Sequence, residues 1–335
     1  MRVLVALALA LAAAAPTTTA PPSLTVAIPP GAPTEPLLRL LLQPYADVTG
    51  THLVTTPWDG AGLEGLKQPL SDLALVNGAQ LAVGCRTQFF AKLDWARLGR
   101  DRTASAAVSD CGVGAYLSAT AMAWDGDKQA NAPGWTDFWD VARRPGRRGL
   151  PRTARINLEI ALLADGVAAG DVYRTLRTSD GLDRAFRKLD QLKPYIIWWD
   201  QPAQAATLLT GGRALFVAAP AATVLKSGAA VNHHIGVQWS GSLGEWHSWA
   251  VPKDAPHPDA ALLALIIAGD PARQAMFGEA TALGPATKDA LALLPVAARA
   301  QDPASNQAAM LTIDEAFWVE NGDKLEKRFA VWTAK

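Results

Sequence analysis

Apolar positions along the chain fall into short β-type runs alternating with longer stretches of helical period. Ser23–Ile28 is a first strand, broken by Pro29-Pro30-Gly31. Leu37–Tyr45 carries an apolar helical stripe that ends at Thr49-Gly50. His52–Thr56 is a second strand, stopped by Pro57-Trp58-Asp59-Gly60. Leu63–Leu73 predicts a helix, while Leu73–Val76 and Gln80–Val83 read as strands. This alternation argues for an α/β fold with a largely parallel sheet.

The stretch Ser109–Asp140 organises the rest. Val113–Trp124 is an apolar, small-residue run of the kind expected for a buried strand. Turn-forming residues follow it, and a short aromatic helix over Thr136–Val141 closes the segment. Here a first lobe hands the chain to a second, which places a cleft between them. Further on, the pattern predicts helices over Asn157–Ala164, Asp171–Thr178 and Gly181–Leu192, the last capped by Asp180. Tyr195–Trp199, Arg213–Ala219 and Ile235–Trp239 are strands. Gly241–Pro252 leads the chain back to the first lobe. Pro258–Ala268 is helical, the next helix starts at Asp270-Pro271, and Thr312–Trp332 is a long amphipathic helix.

A chain of 335 residues, half of them hydrophobic, suits two domains with substantial cores. Formal net charge is zero, and the basic run Arg143–Arg148 is broken by Pro145 and Gly146. A nucleic-acid partner is therefore not expected. Arg2, the apolar Val3–Ala15 and the Ala-x-Ala sites within Ala12–Ala15 read as a cleaved export signal, with a linker to Pro22. The apolar run is shorter than the roughly 20 residues of a membrane span. A soluble periplasmic protein is the expectation. In an oxidising compartment the two cysteines, Cys85 and Cys111, are expected to form a disulfide; two free buried thiols and a nucleophilic thiol are the alternatives.

No nucleophile elbow, phosphate loop or zinc-helix motif is present. His233 and His234 are adjacent, so on a strand they face opposite ways, and no metal or other cofactor is expected. The candidates for ligand contact are polar-aromatic clusters at strand ends. They are Trp58 with Asp59, Arg86 with Thr87, Tyr116, Trp199 and Asp200 with Gln204, and Glu245 with Trp246 and His247. Aromatic faces beside one or two carboxylates suit a cation.

Several stretches together resemble the extracellular solute-binding proteins of bacterial ABC importers, in particular the spermidine/putrescine-binding-like family. They include Ser109-Asp-Cys-Gly-Val-Gly, Trp135-Thr-Asp-Phe-Trp-Asp, Pro145-Gly-Arg-Arg-Gly-Leu, Val172–Pro194, Trp249-Ala-Val-Pro and Phe317-Trp-Val-Glu-Asn-Gly. The resemblance implies a type II periplasmic-binding fold, with two α/β lobes, two hinge strands and a ligand enclosed by closure. On this chain, 1–22 would be signal and linker, 23–122 with 250–298 lobe one, and 123–249 with 299–335 lobe two. It implies a monomer that works with an ABC permease and its ATPase and performs no chemistry.

Polyamine binders of that family have an acidic pair where this chain reads Thr153-Ala-Arg-Ile156, which makes Thr153 a further site candidate. They have Asp and Trp on the return strand where His247 and Glu245 stand, and a Trp that is lost within Phe216–Ala219. The expected ligand is therefore a small organic amine or zwitterion, held by Trp and Tyr faces and by Asp200 or Glu245. Arg86 and Arg155, facing the cleft, would oppose a polycation and hold a carboxylate instead. A polyamine, or a largely apolar metabolite against a smooth Ala218–Ala222 wall, is the alternative on the same fold. An exported hydrolase using His247 and Glu245 is the alternative of another class.

Overall fold

The computed structural model describes residues 22–335 except Ala61, Pro69 and Ala130. The export-signal reading and most of the linker lie outside the described residues. Strand β1 (Ser23–Ile28) runs parallel to both of its neighbours, β2 (His52–Pro57) and β3 (Leu73–Asn77). Strand β4 (Val113–Asp125) is the long apolar run of the sequence. Strands β5 (Arg148–Pro151) and β6 (Ile196–Trp199) are parallel, and β5 is also parallel to β7 (Phe216–Pro220). Strand β8 (Ile235–Ala250) pairs antiparallel with β3 on one side and β4 on the other. The order is β2-β1-β3-β8-β4-β7-β5-β6.

The sheet is thus mixed rather than largely parallel. Two parallel wings are stitched together by the antiparallel pair β4–β8. Composition hid this, because both wings are covered on two faces and their strands read alike. The pair is bent where its register shifts. One shift lies between Gly114 and Tyr116, the other between Thr120 and Met122. At the second shift Thr120 faces Leu243 and Met122 faces Gln238, so Trp239–Ser242 bulge opposite Ala121.

Separate cores form at the two ends of this sheet. One gathers Leu24, Val26, Leu41, Leu75, Trp249 and Phe277. The other gathers Met122, Phe138, Leu158, Leu189, Phe216 and Trp318. The chain visits both more than once: β4 gives Tyr116 to the first and Met122 to the second.

Three predicted elements differ. Leu63–Leu73 is not a helix; only Leu63–Leu66 turns, as a 3-10 segment, and Gly62 and Gly65 weaken any longer one. Gln80–Val83 lies inside a helix, Gly78–Arg86. Asn77 Oδ1 accepts from the Gln80 amide and Gln80 Oε1 accepts from the Asn77 amide, each at 2.9 Å, a capping box that overrides local strand preference. The helix Ser179–Leu192 is capped by Thr178, whose Oγ1 accepts from the Gly181 amide at 3.0 Å, and not by Asp180. Cys85 and Cys111 form a disulfide that ties the end of Gly78–Arg86 to the loop before β4, with Cα atoms 5.9 Å apart.

Candidate functional site

Strand β5 ends at Pro151, and the helix Ala154–Ala164 begins three residues later. The first turn of that helical run is broken by a kink. Arg155 is extended (φ −57°, ψ 138°) and Ile156 has φ 80°, ψ −52°. A β-branched residue at positive φ is a true outlier, and such strain persists only where the surroundings fix it. Here the fixing groups come from the C-terminal helix, Glu315–Ala334. Its Glu326 carboxylate accepts from Thr153 Oγ1 at 2.6 Å, from the Ala154 amide at 2.9 and 3.0 Å, and from the Arg155 amide at 3.2 Å.

The turn aims Arg155 at two more carboxylates. Its guanidinium donates to Glu315 at 2.7 and 3.0 Å and to Glu245, on β8, at 3.0 Å. All three side chains are largely buried, 16–22% exposed. Burial opposes the charge on Arg155, but Glu245 and Glu315 outweigh it and raise its pKa. Burial also raises both carboxylates, with Arg155 pulling the other way. One guanidinium thus faces two carboxylates in a partly desolvated place, and Glu245 adds to burial in raising Glu315. Glu245 and Glu315 line a cavity of about 170 Å³ together with Gly78, Ser109, Trp246 and Ser248. Glu315 packs so closely on Gly78 that a Cβ there would lie 2.5 Å from its Cγ.

Beside this cluster, His247 stacks on Tyr116 with ring centroids 4.6 Å apart, and its Nε2 lies 3.2 Å from Ser118 Oγ. Burial, then the nearby Arg155, lower the His247 pKa to about 4. The ring is therefore neutral at physiological pH. Burial, with help from Glu245, raises the Tyr116 hydroxyl above its ordinary value.

Of the sequence candidates, the structure gathers Thr153, Tyr116, Glu245, Trp246 and His247 around Arg155 and its partners. The others are engaged locally. Trp58 is buried and donates its indole N–H to Gly62 O at 2.9 Å. Asp59 is exposed beside it. Arg86 and Thr87 are exposed at the end of their helix, where Thr87 Oγ1 donates to Val83 O. Trp199 is buried and donates to Ala218 O at 3.2 Å. Asp200 pairs with Arg152 at 3.1 Å, and Gln204 Oε1 caps its own helix through the Asp200 and Gln201 amides. Ala218, Ala219 and Ala221 are fully buried, so the expected smooth wall is core instead.

The sequence reading overlooked Glu315, Glu326 and Ser118. The two glutamates are eleven residues apart, about three helical turns, and so lie on one helix face. That spacing, inside a helix read only for its aromatic stripe, was the available clue.

A family model described as a bacterial extracellular solute-binding protein matches residues 61–308, well over half of the chain. The chain belongs to this family. Among curated relatives, it is 40% identical over 271 residues to the gamma-aminobutyric acid-binding protein of Pseudomonas aeruginosa, covering 79% of this chain and 76% of that one. The solved Atu4243-GABA receptor superposes with a TM-score of 0.82 at 25% identity, over 93% of this chain and 98% of that one. The spermidine/putrescine ABC transporter substrate-binding protein PotD of Streptococcus pneumoniae shares the fold, with a TM-score of 0.76 at 15% identity over 93% of this chain and 99% of that one. These likenesses bear out the two-lobed solute-binding fold and the transport-receptor class, and they lend nothing to the hydrolase alternative.

Proposed function

We propose that the chain is the periplasmic receptor of an ABC importer for a small zwitterion of the γ-aminobutyrate type, with an amine and a carboxylate on a short spacer. The observation that supports this most is Arg155 bonded to both Glu245 and Glu315. A zwitterion entering this cluster satisfies every charge: its carboxylate takes the bidentate face of Arg155, and its ammonium takes a released glutamate. A dication meets the guanidinium head-on, and a simple carboxylate leaves a buried glutamate unpaired. Tyr116, Trp246 and His247 supply the adjoining aromatic faces, and Thr153 helps to hold the turn that bears Arg155. The names of two relatives, both γ-aminobutyrate binders, point the same way.

On this reading the protein is a monomer that performs no chemistry, and the permease's ATPase supplies the energy of transport. Ser118 stands within hydrogen-bond reach of His247, as a hydrolase would require. A ring whose pKa is about 4 is nevertheless a poor general base near neutrality. The chain crosses between the lobes along β4, between Tyr116 and Met122, and returns along β8, between Leu243 and Trp249, a few residues before the crossings expected at 122–124 and 249–251. The expected lobes, 23–122 with 250–298 and 123–249 with 299–335, therefore each shift by a few residues at these crossings, since Met122 packs in the second core and Trp249 in the first.

Titration calorimetry of the purified protein with γ-aminobutyrate, putrescine, butyrate and butylamine tests the reading. γ-Aminobutyrate should bind most tightly. Arg155→Ala and Glu245→Gln should each weaken it by about 10–150-fold, the value of a hydrogen bond to a charged group. Tight putrescine binding with γ-aminobutyrate ignored would overturn it, and so would tight binding of an uncharged lipid-like solute.

A further inference from the structure

The kinked turn at the start of the helical run Ala154–Ala164 presents successive backbone N–H groups to one point, the kind of concavity that attracts an anion. In this chain the anion is internal. Glu326 reaches in from the C-terminal helix and takes the Thr153 hydroxyl and the Ala154 and Arg155 amides at 2.6–3.2 Å. Its helix is anchored beside it, where Leu325 and Phe329 are buried in the same core as Leu158 and Ile160. The residue it grips is the one whose guanidinium meets Glu245 and Glu315. Directly after comes Ile156 at φ 80°, a geometry that a free chain would abandon.

Without an acceptor at that point, the amides of Ala154 and Arg155 turn toward water, Ile156 relaxes to negative φ, and the Arg155 side chain swings away from its cluster. We propose that Glu326 is a positioning residue for ligand binding: it makes no contact with the solute but fixes the strained turn that aims Arg155. The proposal rests on the reading of Arg155 as the carboxylate-binding group, and it adds a residue from a different helix to the determinants of affinity. Glu315 and Glu326, three turns apart on one helix face, then hold the two ends of the same arginine, one its guanidinium and the other its backbone amide.

Two readouts on the full-length mature protein test this. The first is γ-aminobutyrate affinity by calorimetry in wild type, Glu326→Gln, Glu326→Ala, Arg155→Ala and the Glu326→Ala/Arg155→Ala pair. Glu326→Gln keeps an acceptor oxygen for the amides and should lose about 3-fold or less. Glu326→Ala should lose about 10–100-fold, and that loss should vanish once Arg155 is already alanine. Butylamine, which has no carboxylate, should not distinguish Glu326→Ala from wild type. The second readout needs no solute: the resonance of the Arg155 Nη–H groups that donate to Glu245 and Glu315, assigned by its absence in Arg155→Lys. It should exchange slowly with water in wild type and in Glu326→Gln, and be broadened away in Glu326→Ala at unchanged melting temperature or after correction for any shift.

An Arg155 resonance unmoved by Glu326→Ala would overturn the proposal whatever the solute does. An affinity loss that persists in the Arg155→Ala background would also overturn it, since the loss would then be structural. If wild type ignores γ-aminobutyrate while the resonance behaves as described, the assigned ligand fails and the positioning role stands.

Discussion

Two buried titratable residues set opposite pH dependences on stability. Burial and Arg155 lower His247 to a pKa of about 4, so on acidification the unfolded chain takes up a proton that the folded one refuses. That contribution is complete above about pH 6.5 and is lost as pH falls toward 4. Asp302 behaves in reverse. Burial raises it to about 6, although the Ser305 amide donates to its Oδ1 at 2.6 Å, while its Oδ2 is buried without a hydrogen-bond partner. The folded state therefore binds a proton first as pH falls, and stability is lost as pH rises through 6. Asp302→Asn should stabilise the protein at pH 7.5 by about 1–2 kcal/mol, with the gain fading below pH 4. His247→Gln should destabilise it less at pH 4.5 than at pH 7.5. Denaturant titrations at the two pH values check both, and a pH-independent Asp302→Asn effect would remove the burial argument. At this scale the sequence was only partly legible. Glu245 and His247 were readable as part of a polar-aromatic cluster, and both lie close to Arg155. Trp199, Asp200 and Gln204 have the same polar-aromatic character yet serve as core and helix cap, and composition cannot tell an indole that packs from one that faces a cleft.

Among the elements, the disulfide has the clearest energetic consequence. It joins the helix Gly78–Arg86 to the loop before β4 across 26 residues of sequence. Cys85→Ser/Cys111→Ser should cost about 2–4 kcal/mol, read as a lower denaturant midpoint. The unreduced wild type should yield no alkylatable thiol, and two labelled thiols in the native protein would contradict the bond. Gly84, one residue before Cys85, admits the Phe90 ring where a Cβ would lie 2.2 Å from it, so the clip and the ring packing support one another. Element types were well predicted wherever an apolar run was long, as in β4 and in Pro258–Ala268. They failed where side chains of the segment itself rewrote the backbone's preference: Asn77 and Gln80 turned a strand-like run into a helix. The strained turn at Ile156 had no counterpart in the sequence at all, since Glu326 imposes it from about 170 residues away.

For the molecule as a whole, the strands β4 and β8, both kinked by register shifts, contribute to both cores. Bending concentrated at such shifts leaves each core intact. Small-angle scattering with saturating γ-aminobutyrate should give a smaller radius of gyration than without it, and an unchanged radius would argue against closure of an open form. The interleaving of the chain also has a consequence for its synthesis. The core built on Leu24, Val26 and Leu37 is completed by Leu265, Phe277 and Leu283. Those partners leave the ribosome more than two hundred residues after the first strand. A nascent chain halted at residue 250 therefore holds β1, β2 and β3 with one face of their sheet only partly covered, by residues 37–45. Neither lobe can lock early, and the polypeptide stays threadable through a narrow translocation channel until almost all of it has been made.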